Sequence, residues 1–508
     1  MSSIESHHAR MSIRVLIHVF LALLGVSYLA HAQNVEVSTS SVSTIPSSAS
    51  AATGSATSAA THASESKTFT TSANSTARTP ELDVVQNMCW RFLHQSTIKN
   101  GSLYIDGGIQ SFIDDDADRW TSSDPSIHGY NYHLIKIDLS QQFDWMTWDK
   151  PWDDMEDAVT LLNKTADLDT SNLPPQVSRG ALFTGAPEDN RIWLYGGTTI
   201  WWNTGFPDFK PPTTAVYSLW SFDTMTLLWD QYDVSSESPM RPSNGLAAEA
   251  PDLGLAFYFN GEIDSGSSTE TQTLGNYAKA FLEGMVVINS TSQTASNIST
   301  AAAVGNLART RGAAEYIPDI GGNGILVLVG GTYKPSTVWD EQEMTLFARM
   351  DNITIFDVGS YLRNNSEPLW YAQNATGDIP EPRAYFCTLM VSAPDNSSHN
   401  IYLYAGQGTN QTVYDDIYVL SVPSFVWTKV YASKSPRFGH TCHQVGDQMI
   451  TVGGKATLDY GQNIPCDWET AGLAIFNLSS LQWGSVFKPE SQAGLYFVPE
   501  AVQKQIAE

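Results

Sequence analysis

A strand-like run that ends in glycine occurs six times along the chain, and no other feature restricts the possible folds as much. It reads Leu103-Tyr-Ile-Asp-Gly107-Gly108, then Ile192-Trp-Leu-Tyr-Gly196-Gly197, then Leu255-Ala-Phe-Tyr-Phe-Asn-Gly261-Glu262. It returns as Ile325-Leu-Val-Leu-Val-Gly330-Gly331, as Ile401-Tyr-Leu-Tyr-Ala-Gly406-Gln407 and as Met449-Ile-Thr-Val-Gly453-Gly454. β-Branched and aromatic residues dominate each run, as in strands covered on both faces. The glycines let the backbone turn and approach a neighbour where a Cβ would not fit. A unit of this size cannot bury its apolar faces alone, so its copies must stack on one another.

The steps between anchoring glycines 108, 197, 261, 331, 406 and 454 are 89, 64, 70, 75 and 48 residues. Arg91-Phe92-Leu-His94 precedes the first copy and Arg437-Phe438-Gly-His440 the last, each arginine 17 residues before the second glycine. Arg179, Arg311 and Arg383 precede other copies, with Arg241 a looser match. Downstream, alternating strands end in Asp or Asn at 138, 223, 289, 357 and 477, with a related strand at 416–420. Trp145, Trp229, Trp370, Trp427 and Trp483 follow in five copies; the third copy lacks one and is the degenerate unit.

An arginine-bearing first strand, a Gly-Gly second strand, a third ending in Asp or Asn and a tryptophan-bearing fourth resemble the kelch repeat, over residues 87–487. The resemblance implies an all-β, six-bladed propeller of the galactose-oxidase central-domain type, wrapped around a channel. The whole pattern is similar to exported kelch-repeat ectodomains of filamentous fungi.

Residues 1–32 read as an export signal: Arg10 and Arg14, an apolar run from Val15 to Leu29, then Ala30-His31-Ala32. Residues 33–80 are mostly Ser, Thr and Ala, too polar to offset chain entropy by burial, and read as a disordered, O-glycosylated stalk. Residues 488–508 form a tail, expected to pack on the propeller. Nothing after the signal is apolar enough to span a bilayer. Asn74, Asn100, Asn163, Asn289, Asn297, Asn352, Asn364, Asn374, Asn396, Asn410 and Asn477 lie in Asn-x-Ser/Thr sequons, consistent with export. Four cysteines fit an oxidising compartment. Cys442 and Cys466, both in the last unit, form the expected local bridge and leave Cys89 with Cys387, although four cysteines allow three connectivities. A net charge of −26 repels phosphate backbones and anionic lipid, which argues against nucleic acid and membrane surfaces as partners.

No Ser-His-Asp order, phosphate loop, zinc spacing or dinucleotide fingerprint is present. Resemblance to the copper radical oxidases would require two His, two Tyr and a Cys cross-linked to one Tyr. Tyr132-His133 is a Tyr-His pair of that kind, but it falls on a blade strand and no cysteine carries the cross-link pattern. His94 and His440 occupy equivalent places in the first and last units and could share a metal; the simpler reading makes them ordinary polar residues of the repeat. Asp114-Asp115-Asp116-Ala-Asp118 lacks the ligand spacing of a calcium loop and reads as a solvated acidic loop. No catalytic, cofactor or metal site is therefore expected.

In an up-and-down blade, the loops joining strands two and three share a face with the links between blades. That face carries the long insertions, and one of them holds Trp201, Trp202, Phe206 and Phe209, candidate partner-binding aromatics. Asn163, Asn374 and Asn410 map to this face and Asn100, Asn289, Asn297, Asn364, Asn396 and Asn477 to the other, which favours the less glycosylated face for docking. The sequence thus points to a non-catalytic extracellular propeller binding protein or carbohydrate near the cell surface. The alternative is an extracellular carbohydrate-active enzyme, a copper radical oxidase or a sugar mutarotase-like propeller.

Overall fold

The structure, a computed structural model, describes residues 84–85, 88–112, 128–145, 158–199, 217–274, 278–335, 338–340, 346–457, 466–467, 469 and 472–507. The export signal, the stalk, Asn74, the acidic run 114–118 and the aromatic loop with Trp201, Trp202, Phe206 and Phe209 lie outside the described residues.

Each glycine-ended run is the second strand of four antiparallel strands that follow one another in sequence order, and the fifth set gains two short flanking strands, Thr376–Gly377 and Arg383–Ala384. Sheet 1 comprises Gln95–Lys99, Ser102–Asp106, His133–Asp138 and Val159–Asn163. Sheet 2 comprises Ala181–Phe183, Arg191–Tyr195, Leu219–Asp223 and Trp229–Tyr232. Sheet 3 is Leu246–Ala250, Leu255–Phe259, Met285–Asn289 and Thr294–Ile298; sheet 4 is Ala313–Ile317, Ile325–Val329, Asn352–Asp357 and Trp370–Asn374. Sheet 5 is built on Cys387–Ser392, His399–Gly408, Val413–Val422 and Val426–Tyr431, and sheet 6 on Thr441–Val445, Gln448–Val452, Leu473–Asn477 and Gln482–Gly484.

The apolar alternation of the second strands explains how the sheets stack, because successive side chains leave on opposite faces. Val327 and Val329 pack with Leu403 and Leu420 of sheet 5, while Leu326 and Leu328 pack with Phe257 and Phe259 of sheet 3. The same division fills the seams between sheets 1 and 2, 2 and 3, and 5 and 6. The seam between sheets 6 and 1, with Ile450 and Ile475 against Leu103 and Ile105, brings the last sheet back to the first.

Two chain segments overlap that returning seam. Met88–Phe92 reaches sheet 6, where Arg91 bridges to Gly454 and Cys89 is bonded to Cys466. In the other direction, Val486–Phe487 pairs with Phe143–Asp144, beside sheet 1. Trp145 belongs to this second overlap, its Nε1 donating to the Gly484 carbonyl at 3.3 Å, and not to the fourth strand of sheet 1 as expected. An insertion delays that strand to Val159. A helix at Glu500–Ala507, absent from the sequence reading, seats buried Val502 in the cluster with Tyr402 and Tyr496. Among the described residues no helix is long and apolar enough to cross a membrane.

The Gly-Gly pair is where neighbouring sheets meet most closely. A Cβ on Gly107 would lie 1.9 Å from the Val177 carbonyl oxygen of the next unit, and one on Gly196 would lie 2.2 Å from that of Pro242. The following glycine donates its N–H to the same carbonyl: Gly108 to Val177 at 2.9 Å and Gly197 to Pro242 at 2.7 Å. Gly331, Gly406 and Gly454 repeat the bond to Arg383, Arg437 and Arg91. At Gly261 the third copy departs, and the Asn260 side chain accepts from Arg309 N at 2.9 Å instead.

The disulfides differ from the expected pairing. Cys442 is bonded to Cys387 and Cys466 to Cys89. Cys442 stands on the first strand of sheet 6, next to the first strand of sheet 5 that carries Cys387. Cys466 is drawn to the Met88–Phe92 overlap, where Asp467 N donates to the Cys89 carbonyl at 2.9 Å. Contact between stacked sheets decides the first bond and overlap of the Met88–Phe92 segment the second, and neither is visible along the sequence.

Candidate functional site

One residue immediately before each first strand, or one removed from it, adopts a left-handed conformation: Leu93, Arg179, Asn244, Arg311, Tyr385 and Gly439, with φ between 55° and 68°. For a non-glycine residue this costs on the order of 1 kcal/mol or more, so something must hold it. Here the six backbones form a closed cycle of hydrogen bonds of 2.7–2.9 Å. Leu93 N donates to Gly439 O, Gly439 to Tyr385, Tyr385 to Arg311, Arg311 to Asn244, Asn244 to Arg179, and Arg179 back to Leu93. The cycle forms a neck at one end of a central channel.

Beyond the neck the first strands of all six sheets line a cavity of about 410 Å³, and the neck residues border a smaller space of about 150 Å³; His94 and Gly180 belong to both. The strand direction places the neck on the face of the inter-sheet links and long insertions.

The neck clarifies the arginines. Arg91, Arg309, Arg383 and Arg437 each stand two residues before the left-handed position, whereas Arg179 and Arg311 occupy that position. The expected series therefore mixes two sites, omits Arg309 and places the arginines on the first strand, which begins later. Three of the first set are spent on the strand end of their own unit, while Arg91 donates to Gln110 Oε1 at 3.3 Å and to Val84 O at 2.6 Å. Arg309 Nε donates to Gly330 O at 2.8 Å and Arg383 Nη1 to Ala405 O at 3.0 Å, while Arg437 Nη1 bonds Gly453 O. Arg383 also pairs with Asp416, and Arg437 with Asp467 at 3.0 Å and Glu469 at 2.8 Å.

Arg179 and Arg311 face the neck. Arg311 Nη2 pairs with Glu262 Oε2 at 2.8 Å, and Lys279 Nζ with Glu262 Oε1 at 3.0 Å. Asn244 Nδ2 donates to that same oxygen at 2.7 Å. Burial alone would raise the Glu262 pKa, but Arg311, Lys279 and Arg179 outweigh it and hold the carboxylate well below its usual range. Arg179 differs: its guanidinium forms no ion pair among the described residues, and its Nε is buried without a hydrogen-bond partner. Burial disfavours its charge, yet the surrounding Tyr385, Glu262 and Asp264 raise its pKa, so it stays a cation.

Deeper in the channel the chemistry changes sign. Glu249 Oε2 accepts from Thr184 N at 2.8 Å and Gly185 N at 3.3 Å, and Glu315 accepts from the Thr388 hydroxyl. Burial pushes both carboxyl groups up to about 7. His443, bonded through Nε2 to Ser96 Oγ at 2.7 Å, is lowered by burial to about 4 and is neutral at pH 7. None of these three was singled out from the sequence. The shared Ala-Ala-Glu at 247–249 and 313–315 was the available signal, since a carboxylate stands out in an otherwise small and apolar first strand.

His94 and His440 both lie beside the neck, each lowered well below the ordinary histidine value, first by burial and then by Arg91 or Arg437. His94 Nε2 bonds Thr441 Oγ1 at 3.1 Å, and the His440 ring meets Tyr404 edge-on at 5.0 Å. Cys387, His440 and Cys442 offer ligand atoms within 4.8 Å of one another, but the two sulfurs are bonded together. His133 opens the third strand of sheet 1, its backbone N held by Asn131 Oδ1 at 3.0 Å. All four cysteines are in disulfides, which leaves none for a thioether to tyrosine.

Eight sequon asparagines, 100, 163, 297, 352, 364, 374, 396 and 410, are exposed, while Asn289 and Asn477 are half-buried. Strand direction puts 163, 297, 352, 374 and 410 on the neck face and 100, 289, 364, 396 and 477 on the other. The expected asymmetry disappears because Asn297 ends a fourth strand, at Val286↔Asn297, on the neck side, and Asn352 begins a third strand there.

No protein-family model matches the sequence. The chain is 28% identical over 438 residues to a protein described as "Kelch repeat-containing protein" from Arthroderma benhamiae, a match covering 78% of this chain. The chain spans 57% of that relative's length. Among solved structures, YjhT aligns over 79% of this chain and 99% of its own, at 12% identity and a TM-score of 0.46. Sheet pairing and the kelch-repeat relative together support a kelch-type propeller.

Proposed function

We propose that the chain is a six-bladed kelch-type propeller that binds a protein or carbohydrate outside the cell, and that the neck end of its channel is the binding site. The carrying observation is the neck itself, where Arg179 is held as a cation without a direct ion-pair partner among the described residues, at the entrance to a cavity of about 410 Å³. That volume falls in the range of small-molecule sites, roughly 300–1,000 Å³, and the lining combines apolar wall with a few convergent polar groups. Kelch repeats in the relative agree with an interaction role. The blade number rests on the closed cycle of six backbone hydrogen bonds. Export and N-glycosylation rest on the apolar N-terminal run, two disulfides and eight exposed sequon asparagines.

The test is capture from cell-wall extract and a glycan array with protein made through a secretory pathway, beside an Arg179→Gln variant. Binding that the variant loses supports the reading; binding that survives it, or disappears only when the opposite face is altered, refutes it. Retention of the native protein inside the cell without glycans would refute the extracellular part.

Glu249 and Glu315 favour one alternative, a mutarotase-like enzyme, because carboxyl groups titrating near neutrality can exchange protons with a sugar. Catalysed anomer exchange, lost on Glu249→Gln or Glu315→Gln, would select it. The four disulfide-bonded cysteines weigh against the radical-oxidase alternative.

A further inference from the structure

We infer that the neck takes the carboxylate of a small hydroxylated acid, of the sugar-acid type, with Arg179 as its principal anchor. This rests on the binding reading above and adds the chemistry of the ligand.

The position of Arg179 carries a cost. Arg179 holds a left-handed backbone, φ 64°, and sits half-buried at the neck with an unpartnered Nε. A buried polar nitrogen without a partner is uncommon and costs about 1–3 kcal/mol, more when charged. Arg383 and Arg437 show how this fold can satisfy a guanidinium fully, through a strand-end carbonyl and a carboxylate, and Arg309 is held by the Gly330 carbonyl and the Thr354 hydroxyl. Among the described residues Arg179 has neither, although Glu262 is close enough to raise its pKa and is already engaged by Arg311, Lys279 and Asn244. One guanidinium lacking a direct counter-ion matches one singly charged oxyanion, and its planar fork suits a carboxylate.

The body of the ligand follows from the adjoining cavity. His94 and Gly180 wall both spaces, so a molecule anchored at the neck extends into the channel. There it meets Ser96, Thr388, Thr441, Glu249, Glu315 and His443, donors and acceptors suited to hydroxyl groups. A purely apolar tail would strip water from these groups without replacing their hydrogen bonds. Phosphate dianions fit less well, because a second negative charge would have no matching free cation and would approach Glu262 and Asp264.

The test is calorimetric titration of the intact chain with glucuronate, glucose, acetate and inorganic phosphate, for the wild type and for Arg179→Gln, with Arg179→Lys as a conservative control. Glucuronate is expected to bind more tightly than glucose, acetate or phosphate. Arg179→Gln should weaken glucuronate at least tenfold and leave the melting curve intact, and Arg179→Lys should recover part of the affinity. Equal affinity for glucuronate and glucose, stronger binding of phosphate, or an unchanged Arg179→Gln variant would overturn the inference. If glucuronate fails while a neutral glycan or a wall protein still binds in an Arg179-dependent way, the carboxylate assignment falls and the binding site stands. If nothing binds, both fall.

Discussion

Arg383 and Arg179 come from neighbouring places in the same repeat, two residues apart in register, and serve opposite ends. Arg383 is fully buried, bonded to the Ala405 carbonyl, paired with Asp416 and stacked 3.9 Å from the Tyr414 ring. Arg179 is half-buried at the neck and lacks a direct ion-pair partner among the described residues. A guanidinium fixed before the left-handed residue ties a sheet to its own strand end, whereas one fixed at that residue is turned toward the channel. The repeat thus contains a structural position and an adjacent one that can change without loss of the fold. Leu93, Asn244, Tyr385 and Gly439 stand where Arg179 and Arg311 do, and the hydrogen-bond cycle closes regardless.

The largest effect should come from the structural set. Arg437→Ala leaves Asp467 and Glu469 buried together without a cation, and removing one partner of such a group costs ~3–5 kcal/mol. Urea unfolding followed by tryptophan fluorescence measures it, and a loss below ~1 kcal/mol would erase the distinction between the two arginine positions.

Glu262→Gln should rank next, at ~2–4 kcal/mol near pH 7, because it takes the shared anion from Arg311 and Lys279. The pH dependence has a definite sign. A carboxylate whose folded pKa is depressed contributes stability above its unfolded value of 4.5, and that contribution is lost as pH falls through the lower folded value. The variant should therefore show a shallower acid limb than the wild type in thermal melts.

The carboxyl end of the channel should behave in the reverse sense. Glu249 and Glu315 titrate near 7 in the fold and near 4.5 when unfolded, so stability is greatest below about pH 4.5 and declines until about pH 7. Burial is partial and channel water screens both groups, which limits the gain from a combined Glu249→Gln, Glu315→Gln variant at pH 8 to ~1–3 kcal/mol. A melting temperature at pH 8 no higher than wild type would show that the two carboxyl groups are not desolvated.

Much of the sheet pattern could be read in advance because it is local. The second strands, most third strands and the tryptophans at 229, 370, 427 and 483 depend on alternation and spacing within one unit. What escaped depends on neighbouring units. Arg309 and Arg311 stand two residues apart in Leu307-Ala-Arg-Thr-Arg-Gly312, and spacing alone does not tell the sheet-bound arginine from the channel-facing one. The disulfides follow stacking order, so the nearby pair 442 and 466 misled. Asn297 changed face because a fourth strand ends where the next link begins. The site was less legible than the fold: the repeated Ala-Ala-Glu marks Glu249 and Glu315, but that they share one cavity follows only from the convergence of six first strands.

The central claim is that two arginine positions of one repeat divide into scaffold and site, and paired chemical denaturation of Arg383→Gln and Arg179→Gln tests it most directly. The account predicts a loss of at least ~3 kcal/mol for Arg383→Gln and a change within ~1 kcal/mol for Arg179→Gln. Comparable losses in the two variants, or a larger one for Arg179→Gln, would contradict it.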